Sequence, residues 1–335
     1  MKTSLKLIAE TLKLSKTTIS WVLSGKGSEK GISEDTQRKV WECAKRLHYQ
    51  PNLLARSLHT GKSSTIGLII PDITDSFYSK VARAIEMEAE EQGYSLMICS
   101  SESDVERENR MIRLFKAKQV DGIIIAPTKK SQVEIKALMI EKYPFVLFDR
   151  FFPELDTDYV IIDNENTSYR VVNGMIKSGA KKVALITTNS HLYTMWLRGE
   201  GYRRALQEAG IGMDEQLVGE VKFDHYEEEI NYILDEIFAH VPDVDGFFFT
   251  THILALEAFR YFSERNIDIS KGYELGCIHR VSAFRALAPR MHIARMPIQE
   301  IGEQSVQILM DRIHDKQNDM NVPRAIKHVM LPCHF

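Results

Sequence analysis

Cysteine is scarce in this sequence, and its few occurrences form no metal-binding or redox pattern. Only four are present in 335 residues, namely Cys43, Cys99, Cys277 and Cys333, and no two make a CxxC pair. The histidines show no metal-ligand spacing either. We therefore predict neither a disulfide framework nor a metal site nor a cofactor, and we expect reduced thiols in a cytosol.

Long apolar runs are also missing. The N-terminus, Met1-Lys-Thr-Ser-Leu-Lys6, does not open an apolar segment, and no stretch approaches the ~20 apolar residues that span a bilayer. The hydrophobic content of 44% is ordinary for globular folds, and the length allows two to three domains. These features predict a soluble, unsecreted, cytoplasmic protein.

Charge is distributed unevenly along the chain. Residues 1–62 contain 12 Lys and Arg against 5 Asp and Glu, whereas residues 63–335 contain 31 against 41. The net charge of −3 for the whole chain therefore hides a basic head attached to an acidic body.

The basic head has the pattern of three short helices. Leu5, Ile8 and Leu12 recur at helical spacing behind Ser4, and Ser15 can cap a second helix over residues 16–23. A third helix starts after Ser33 and is stopped by Pro51. The first two, joined by a tight turn, predict a helix-turn-helix whose second helix fits a major groove.

A short helix is predicted between head and body, over Asn52–Leu58 after Pro51, ending at Gly61. So short a helix is unstable alone in water. We expect it to become ordered when the head docks, which would link the head to the body.

The body alternates apolar segments of strand length with amphipathic segments of helix length. This pattern predicts parallel sheets covered on both faces by helices, and its restart near residue 162 predicts two similar lobes closing as a hinged clamshell. The predicted domains are 1–50 (head), 51–62 (hinge) and 63–335 (body), with a first lobe of about 63–161 and 293–321 and a second lobe of about 162–292 and 322–335.

Two runs in the first 58 residues closely resemble one family. The run Leu14-Ser-Lys-Thr-Thr-Ile-Ser-Trp-Val-Leu-Ser-Gly-Lys-Gly27, followed by Tyr49-Gln-Pro-Asn-Leu-Leu-Ala-Arg-Ser-Leu58, resembles the DNA-binding head and hinge helix of LacI/GalR bacterial transcription regulators. The resemblance implies an all-α helix-turn-helix head and an α/β body like the periplasmic sugar-binding proteins. It implies DNA contacts by Ser15, Lys16, Thr17, Thr18, Ser20, Trp21 and Lys26 in the head, and by Asn52, Ala55, Arg56 and Leu58 in the hinge.

Two of these positions carry specific expectations. Trp21 stands where the family usually has arginine, which could form a bidentate contact with guanine; an indole offers one N–H and an apolar face, or it packs against the third helix. Leu58 falls on the family's leucine wedge, which enters the minor groove and kinks the duplex.

Resemblance also implies an effector site between the lobes, at the carboxyl ends of the strands. Residues 71–78 match the family's loop before the first body helix, Asp149-Arg150 matches its Asp-Arg pair, and Arg198 matches the arginine of R-x-x-G-x-x-x-A-L. The implied contacts are Ser76, Phe77, Tyr78, Asp149, Arg150, Arg198, Phe223, Thr251, His279 and Arg280.

The second lobe departs from the family where carboxylates usually grip sugar hydroxyls. Ile278 and His279 replace them, and Arg280 and His252 add possible positive charge nearby. This favours an anionic effector, such as a sugar acid or sugar phosphate, because a buried unpaired charge is unfavourable. The alternatives are a neutral sugar or oligosaccharide held through Asp149, and a nucleobase or other small molecule.

The sequence motifs support the hypothesis of an enzyme less well. Gly61-Lys62-Ser63 resembles the end of a phosphate-binding loop, but Arg56 stands where a glycine is required, and no G-x-S-x-G occurs. The prediction is a homodimeric repressor of carbohydrate-metabolism genes that binds a roughly palindromic operator and a small-molecule effector. The alternative is a cytoplasmic sugar- or nucleotide-metabolising enzyme with an N-terminal helical extension.

Overall fold

The chain divides into two compact units. The structure, a computed structural model, describes residues 4–49, 61–128, 132–188, 192–222, 226–318 and 325–335. The units are Met1–Ser63 and Ser64–Phe335. The predicted hinge helix with Asn52, Ala55, Arg56 and Leu58 lies outside the described residues, and so does Phe223.

Three helices form the head: α1 (Leu5–Leu12), α2 (Lys16–Leu23) and α3 (Glu34–Arg46). Each begins at a predicted serine cap, and the Oγ atoms of Ser4, Ser15 and Ser33 accept hydrogen bonds from backbone N–H groups of the first turns. Their inward side chains, including Ile8, Ile19 and Val40, are completely buried. The predicted helix-turn-helix is confirmed.

Two parallel sheets build the body. The six-stranded sheet has the order β11-β5-β4-β3-β1-β2, and the five-stranded sheet has the order β10-β9-β8-β6-β7. The strands are β1 (Thr65–Ile70), β2 (Ser95–Ser100), β3 (Gly122–Ile125), β4 (Phe145–Phe148), β5 (Tyr159–Ile162), β6 (Val183–Thr188), β7 (Val218–Val221), β8 (Gly246–Phe249), β9 (Glu274–Ile278), β10 (His292–Ala294) and β11 (His328–Leu331).

Helices cover both faces of each sheet, because the central strands are apolar along their whole length. The helices are α4 (Ser76–Glu91), α5 (Val105–Ala117), α6 (Gln132–Ile140), α7 (Asn164–Lys177), α8 (Tyr193–Glu208), α9 (Tyr226–His240), α10 (His252–Glu264), α11 (Phe284–Leu287) and α12 (Ile298–Gln317), with a 3₁₀ turn at Glu215–Leu217. The prediction of two α/β lobes is confirmed.

The strands near the C-terminus require a correction to the predicted lobes. Residues 322–335 were assigned to the second lobe, but β11 pairs in parallel with β5 of the first. The boundary at residue 293 is also wrong, because Ile293 and Ala294 of β10 pair with β9 of the second lobe. Neither short strand reveals its partner in its own sequence, since hydrophobic alternation does not specify the neighbouring strand.

Among the described residues, no helix is long and apolar enough to cross a membrane.

Candidate functional site

The topology places polar loops of both lobes at the carboxyl ends of their strands. In the first sheet the chain winds from β1 to β2 on one side and to β3 on the other, and the second sheet repeats this arrangement with β6, β7 and β8. Ligands of open α/β sheets bind where the strand order reverses in this way, beyond the carboxyl ends of the strands. The candidate effector site therefore lies where the loops after β1, β4, β8 and β9 converge.

The loop after β1 presents the first group of side chains. Asp75 caps α4, and its Oδ1 accepts the N–H of Phe77 at 2.7 Å. Phe77 and Tyr78 are buried, and the Tyr78 hydroxyl donates to Oδ2 of Asp149 at 2.7 Å. Three of the predicted effector residues, Phe77, Tyr78 and Asp149, therefore occupy one cluster.

Asp149 and His279 occupy equivalent positions in the two lobes. Asp149 directly follows β4, and His279 directly follows β9. Both have left-handed backbones, with φ of 60° and 74°. Asp and His tolerate this region better than most residues, and such outliers concentrate at functional sites.

His279 is joined in the cleft by His252, the first residue of α10. The Oγ of Ser76 lies 3.4 Å from Nε2 of each histidine, and His252 Nε2 lies 3.4 Å from Oδ1 of Asp75. The rings of His279 and Phe77 also form a T-shaped contact, with 5.5 Å between the ring centroids. The two lobes thus contact each other through polar side chains.

Burial determines the charge of this cluster. It lowers the pKa of His252 to about 4 and that of His279 to about 3, with the positive charges of Lys80 and Arg198 acting in the same direction. Burial also raises the pKa of Asp75 to about 6. Both imidazoles are therefore neutral at neutral pH, and each has one ring nitrogen that donates a hydrogen bond and one that accepts.

Arg198 is held within the second lobe by close packing of α7 and α8. A side chain at Gly201 would meet the Glu165 carbonyl oxygen at 2.0 Å, so the glycine of the R-x-x-G motif permits this approach. Arg198 is 4% exposed; its Nε donates to Asn164 Oδ1 at 2.8 Å, and its Nη1 donates to the Thr250 carbonyl at 2.6 Å. The guanidinium is fixed by neutral acceptors.

The remaining predicted effector residues have different surroundings. Arg150 lies beside Asp149, with 3.7 Å between Nε and Oδ2. Thr251 caps α10 by accepting the Leu254 N–H. Arg280 lines a cavity of about 390 Å³ together with Arg170 and Arg295, and the described lining of that cavity contains none of the other predicted effector residues.

Sequence analysis missed several participants. Asp75 was not predicted as a site residue, although its place before α4 is a typical N-cap signal. His252 was considered only for its charge. Asn164 and Thr250, the partners of Arg198, carry no local signal, since their role depends on packing between distant segments. Within the described segments, no group of three or more His, Cys, Asp or Glu side chains could hold a metal ion.

In the head, the predicted DNA-contact side chains lie mostly on the outer face. Lys16, Thr17, Ser20, Trp21 and Lys26 are exposed, opposite the buried core of the head. Ser15 and Thr18 instead hydrogen-bond to each other at 2.8 Å between their hydroxyl oxygens, and Ser15 caps α2. Trp21 is 37% exposed, and Lys30 Nζ lies 5.6 Å from the centroid of its ring.

Comparison with known proteins agrees with this architecture. Residues 63–331 match the family described as periplasmic binding proteins and sugar binding domain of LacI family. The chain is 29% identical over 323 residues to the probable HTH-type transcriptional regulator EndR of Paenibacillus polymyxa, covering 95% of this chain and 93% of that protein.

Solved structures share the fold. The Lac repressor dimer bound to operator and the anti-inducer ONPF superposes with a TM-score of 0.82 at 19% identity, covering 99% of this chain and 97% of that chain. The complex of the transcriptional regulator CelR with cellobiose has a TM-score of 0.72 at 21% identity, covering 99% and 98%. The chain therefore belongs to the LacI/GalR family of helix-turn-helix transcription regulators and is not an enzyme.

Proposed function

We propose that the protein is a homodimeric repressor acting in the cytoplasm, which binds a roughly palindromic operator and is controlled by a neutral sugar between its lobes. Its targets would be genes of carbohydrate metabolism. The observation that carries the effector proposal is the convergence of Ser76 with His252 and His279, since ligand binding at this contact would change how the lobes meet.

The exposed face of α2 supports the DNA-binding part of the proposal. Lys16 and Thr17 stand at the start of this helix, where a recognition helix reaches base edges. One head offers few such contacts, so a symmetric pair of heads would double them. The Lac repressor dimer bound to operator, which shares this fold, provides a precedent for that assembly.

The hinge remains a proposal from the sequence. Leu58, with Asn52, Ala55 and Arg56 beside it, would enter the minor groove between the two heads and kink the operator. Closure of the lobes on effector would shift the hinge helices, and a coupling of ~1–3 kcal/mol is enough to change operator occupancy.

The charges at the site favour a neutral effector over the anionic one expected from the sequence. That expectation depended on the carboxylates replaced by Ile278 and His279, and on possible positive charge at His252 and Arg280. Burial keeps the two histidines neutral by lowering each pKa well below 7, and Arg280 lines a different cavity. The histidines therefore supply no positive wall for an anionic sugar; of the two arginines predicted beside them, Arg150 is paired with Asp149, whereas Arg198 is held by neutral acceptors and keeps its charge.

The remaining groups suit sugar hydroxyls. Asp149 lies beside Arg150, which partly balances its charge, and the nearby imidazoles and Ser76 supply both donors and acceptors. Phe77 supplies an aromatic edge to the same cluster. A sugar acid or sugar phosphate, a nucleobase and other small molecules are the alternatives for the test.

Two experiments test the proposal. Selection of binding sites from random oligonucleotides should recover a palindromic operator, and Lys16→Ala should change the preferred bases, whereas Lys26→Ala should change mainly the salt dependence. Thermal-shift measurements of matched pairs, glucose with glucuronate and galactose with galacturonate, should show stabilisation by a neutral member. Stabilisation by the acids alone would contradict the neutral effector, and monomeric protein on operator would contradict the dimer.

A further inference from the structure

A cavity next to β10, the edge strand of the second sheet, is lined by arginines. It has a volume of about 390 Å³, and its charged walls are formed by Arg170, Arg280, Arg285 and Arg295. A neighbouring cavity of about 460 Å³ shares Arg170 and Arg295 with it. The described linings of both cavities contain no Asp or Glu. We call these four side chains the arginine cluster.

The arginine cluster is assembled from separate parts of the second lobe. Its members lie on α7 and α11 or follow β9 and β10. Two of them are held by Phe335, which comes after β11. The guanidinium of Arg170 lies 3.8 Å from the centroid of the Phe335 ring, and Nη2 of Arg295 donates to the Phe335 carbonyl oxygen at 3.0 Å. These contacts fix the guanidinium groups but do not neutralise them.

The protein does not balance the charge of this cluster. Residues 63–335 contain more Asp and Glu than Lys and Arg, and other arginines of the body, such as Arg204, Arg265 and Arg312, form salt bridges. Within the part of the chain that the structure describes, no member of the arginine cluster has a carboxylate partner. Like charges gathered around one cavity repel each other, and a bound anion would relieve this repulsion.

We propose that the arginine cluster is a second ligand site, which binds a small phosphate ester. A phosphate monoester carries a charge of about −1.5 to −2 at pH 7 and three strong acceptor oxygens. The guanidinium fork matches phosphate oxygens bidentately, so several arginines can bind one phosphate group at once. A single carboxylate would neutralise only one of them.

The rest of the cavity wall suits the organic part of such an ester. The buried side chains of Phe284 and Met291 line the cavity beside the arginines. Small-molecule sites typically combine apolar walls with a few polar groups that fix orientation, in volumes of about 300–1,000 Å³. We therefore expect an ester to bind more tightly than inorganic phosphate does. This site is separate from the cleft and does not depend on the sugar effector proposed above.

The position of the site gives it a consequence for regulation. The backbones of Arg295 and His334 exchange two hydrogen bonds, at 2.7 and 2.9 Å, so the segment after β11 of the first lobe is attached to the end of β10 of the second. A ligand held by Arg295 beside Phe335 would contact segments from both lobes. It would thereby favour one arrangement of the lobes, since a ligand shifts an equilibrium by its differential affinity for the two states.

Calorimetric titration of the full chain with matched pairs of probes tests the proposal. The pairs are glycerol 3-phosphate with glycerol, glucose 6-phosphate with glucose, and adenosine 5′-monophosphate with adenosine; inorganic phosphate is titrated alone. In at least one pair we expect the ester to bind at least about tenfold more tightly than its phosphate-free partner and than inorganic phosphate. Arg170→Gln and Arg280→Gln should each weaken ester binding by about tenfold or more, because each removes hydrogen bonds to a charged group.

Two control variants separate this site from the surface and from the cleft. Arg265→Gln removes an arginine that pairs with Asp235 at the surface, and it should leave ester affinity within about twofold. Ser76→Ala alters the cleft and should also leave ester affinity within about twofold.

The possible outcomes distinguish the two proposals. Ester binding that is weakened by Ser76→Ala but not by Arg170→Gln or Arg280→Gln would place the ester in the cleft, overturning both the second site and the neutral effector. Binding of no ester, or equal affinity for the esters and inorganic phosphate, would overturn the second site alone. Ester binding that depends on the arginine cluster, in a chain that binds no neutral sugar, would support the second site and contradict only the sugar effector.

Discussion

The Oγ of Ser76 lies 3.4 Å from Nε2 of His252, so that a hydroxyl of the first lobe meets an imidazole of the second. His279 makes the same approach to Ser76, and Asp75 lies beside His252. The lobes therefore meet at a few titratable groups, whose protonation is coupled to the stability of the closed body.

Acidification should destabilise the body through these histidines. Unfolded histidines take up protons below about pH 6.5, whereas in the folded chain they do so only near 4 for His252 and 3 for His279. The unfolded state then binds more protons, so each histidine lowers the free energy of unfolding by up to about 1.4 kcal/mol per pH unit as pH falls from 6.5 toward 4.

Asp75 acts in the opposite direction. Its folded pKa of about 6 lies above the ordinary 3.8, so acidification from 6 toward 4 stabilises the folded state. One carboxyl opposes two histidines. The charges of Lys80 and Arg198 help to lower the pKa of His279, whereas those of Asp149 and Asp72 help to raise the pKa of Asp75. We expect the difference in unfolding midpoint between pH 7 and pH 5 to shrink in His252→Asn. An unchanged difference would contradict this coupling.

Arg198→Met should destabilise the second lobe and weaken effector binding. Asn164 Oδ1 and the Thr250 carbonyl would each lose a buried donor, at about 1–3 kcal/mol per unsatisfied acceptor. Urea denaturation measures this change. Arg203→Met, on the same helix, is the matched control: its contact with Glu200 is a half-exposed surface pair worth about 0–1 kcal/mol. Equal losses in the two variants would refute the special role of Arg198.

Arg312→Ala should be among the more destabilising changes in the body. Arg312 forms a two-pronged pair with Asp158, at 2.6 and 2.7 Å, and the Asp158 side chain is only 7% exposed. Asp158 also accepts the N–H of Lys327, which precedes β11. Removing Arg312 leaves a buried carboxylate and should reduce the free energy of unfolding by about 3–5 kcal/mol.

The control for Arg312 is an exposed pair of similar length. Lys182 Nζ lies 2.6 Å from Asp243, and both side chains are open to solvent. Lys182→Ala should therefore reduce the free energy of unfolding by less than about 1 kcal/mol. A loss as large as that of Arg312→Ala would show that burial does not decide the strength of these pairs.

Trp21→Ala should weaken operator binding. Its ring is exposed on α2, where an apolar face can contact a thymine methyl, and one good base contact contributes about 1–3 kcal/mol of discrimination. Trp41 is 52% exposed on α3 and serves as the control, since Trp41→Ala should change operator affinity by no more than about 0.5 kcal/mol. Gel-shift titration on operator and on random DNA measures both. If Trp21→Ala binds operator as tightly as the native chain, the ring of Trp21 packs within the head and does not contact DNA.

Leu58→Ala should reduce specific binding by roughly 1–3 kcal/mol and leave nonspecific binding nearly unchanged, because a wedge acts only on a site that deforms. The same gel-shift titrations provide the comparison. Equal losses on operator and random DNA would refute the wedge.

The sequence alone determined the elements and the order in which they occur. The serine caps and apolar spacing of the head predicted α1 to α3, and the apolar strands of the body predicted parallel sheets, because both patterns are local. The same reasoning placed Tyr78 and Asp149 after strands, and the structure joins them by a hydrogen bond.

Tertiary structure decided what depends on distant neighbours. The sequence offered His252 as a possible positive charge, but burial lowers the pKa of both His252 and His279 well below 7, and burial cannot be calculated from residue type. Pairing likewise moved β11 to the first lobe, because a short strand does not encode its partner. The contact between the rings of Phe151 and Tyr193 was invisible for the same reason: the two residues are 42 positions apart, and only the approach of the two lobes brings their rings together.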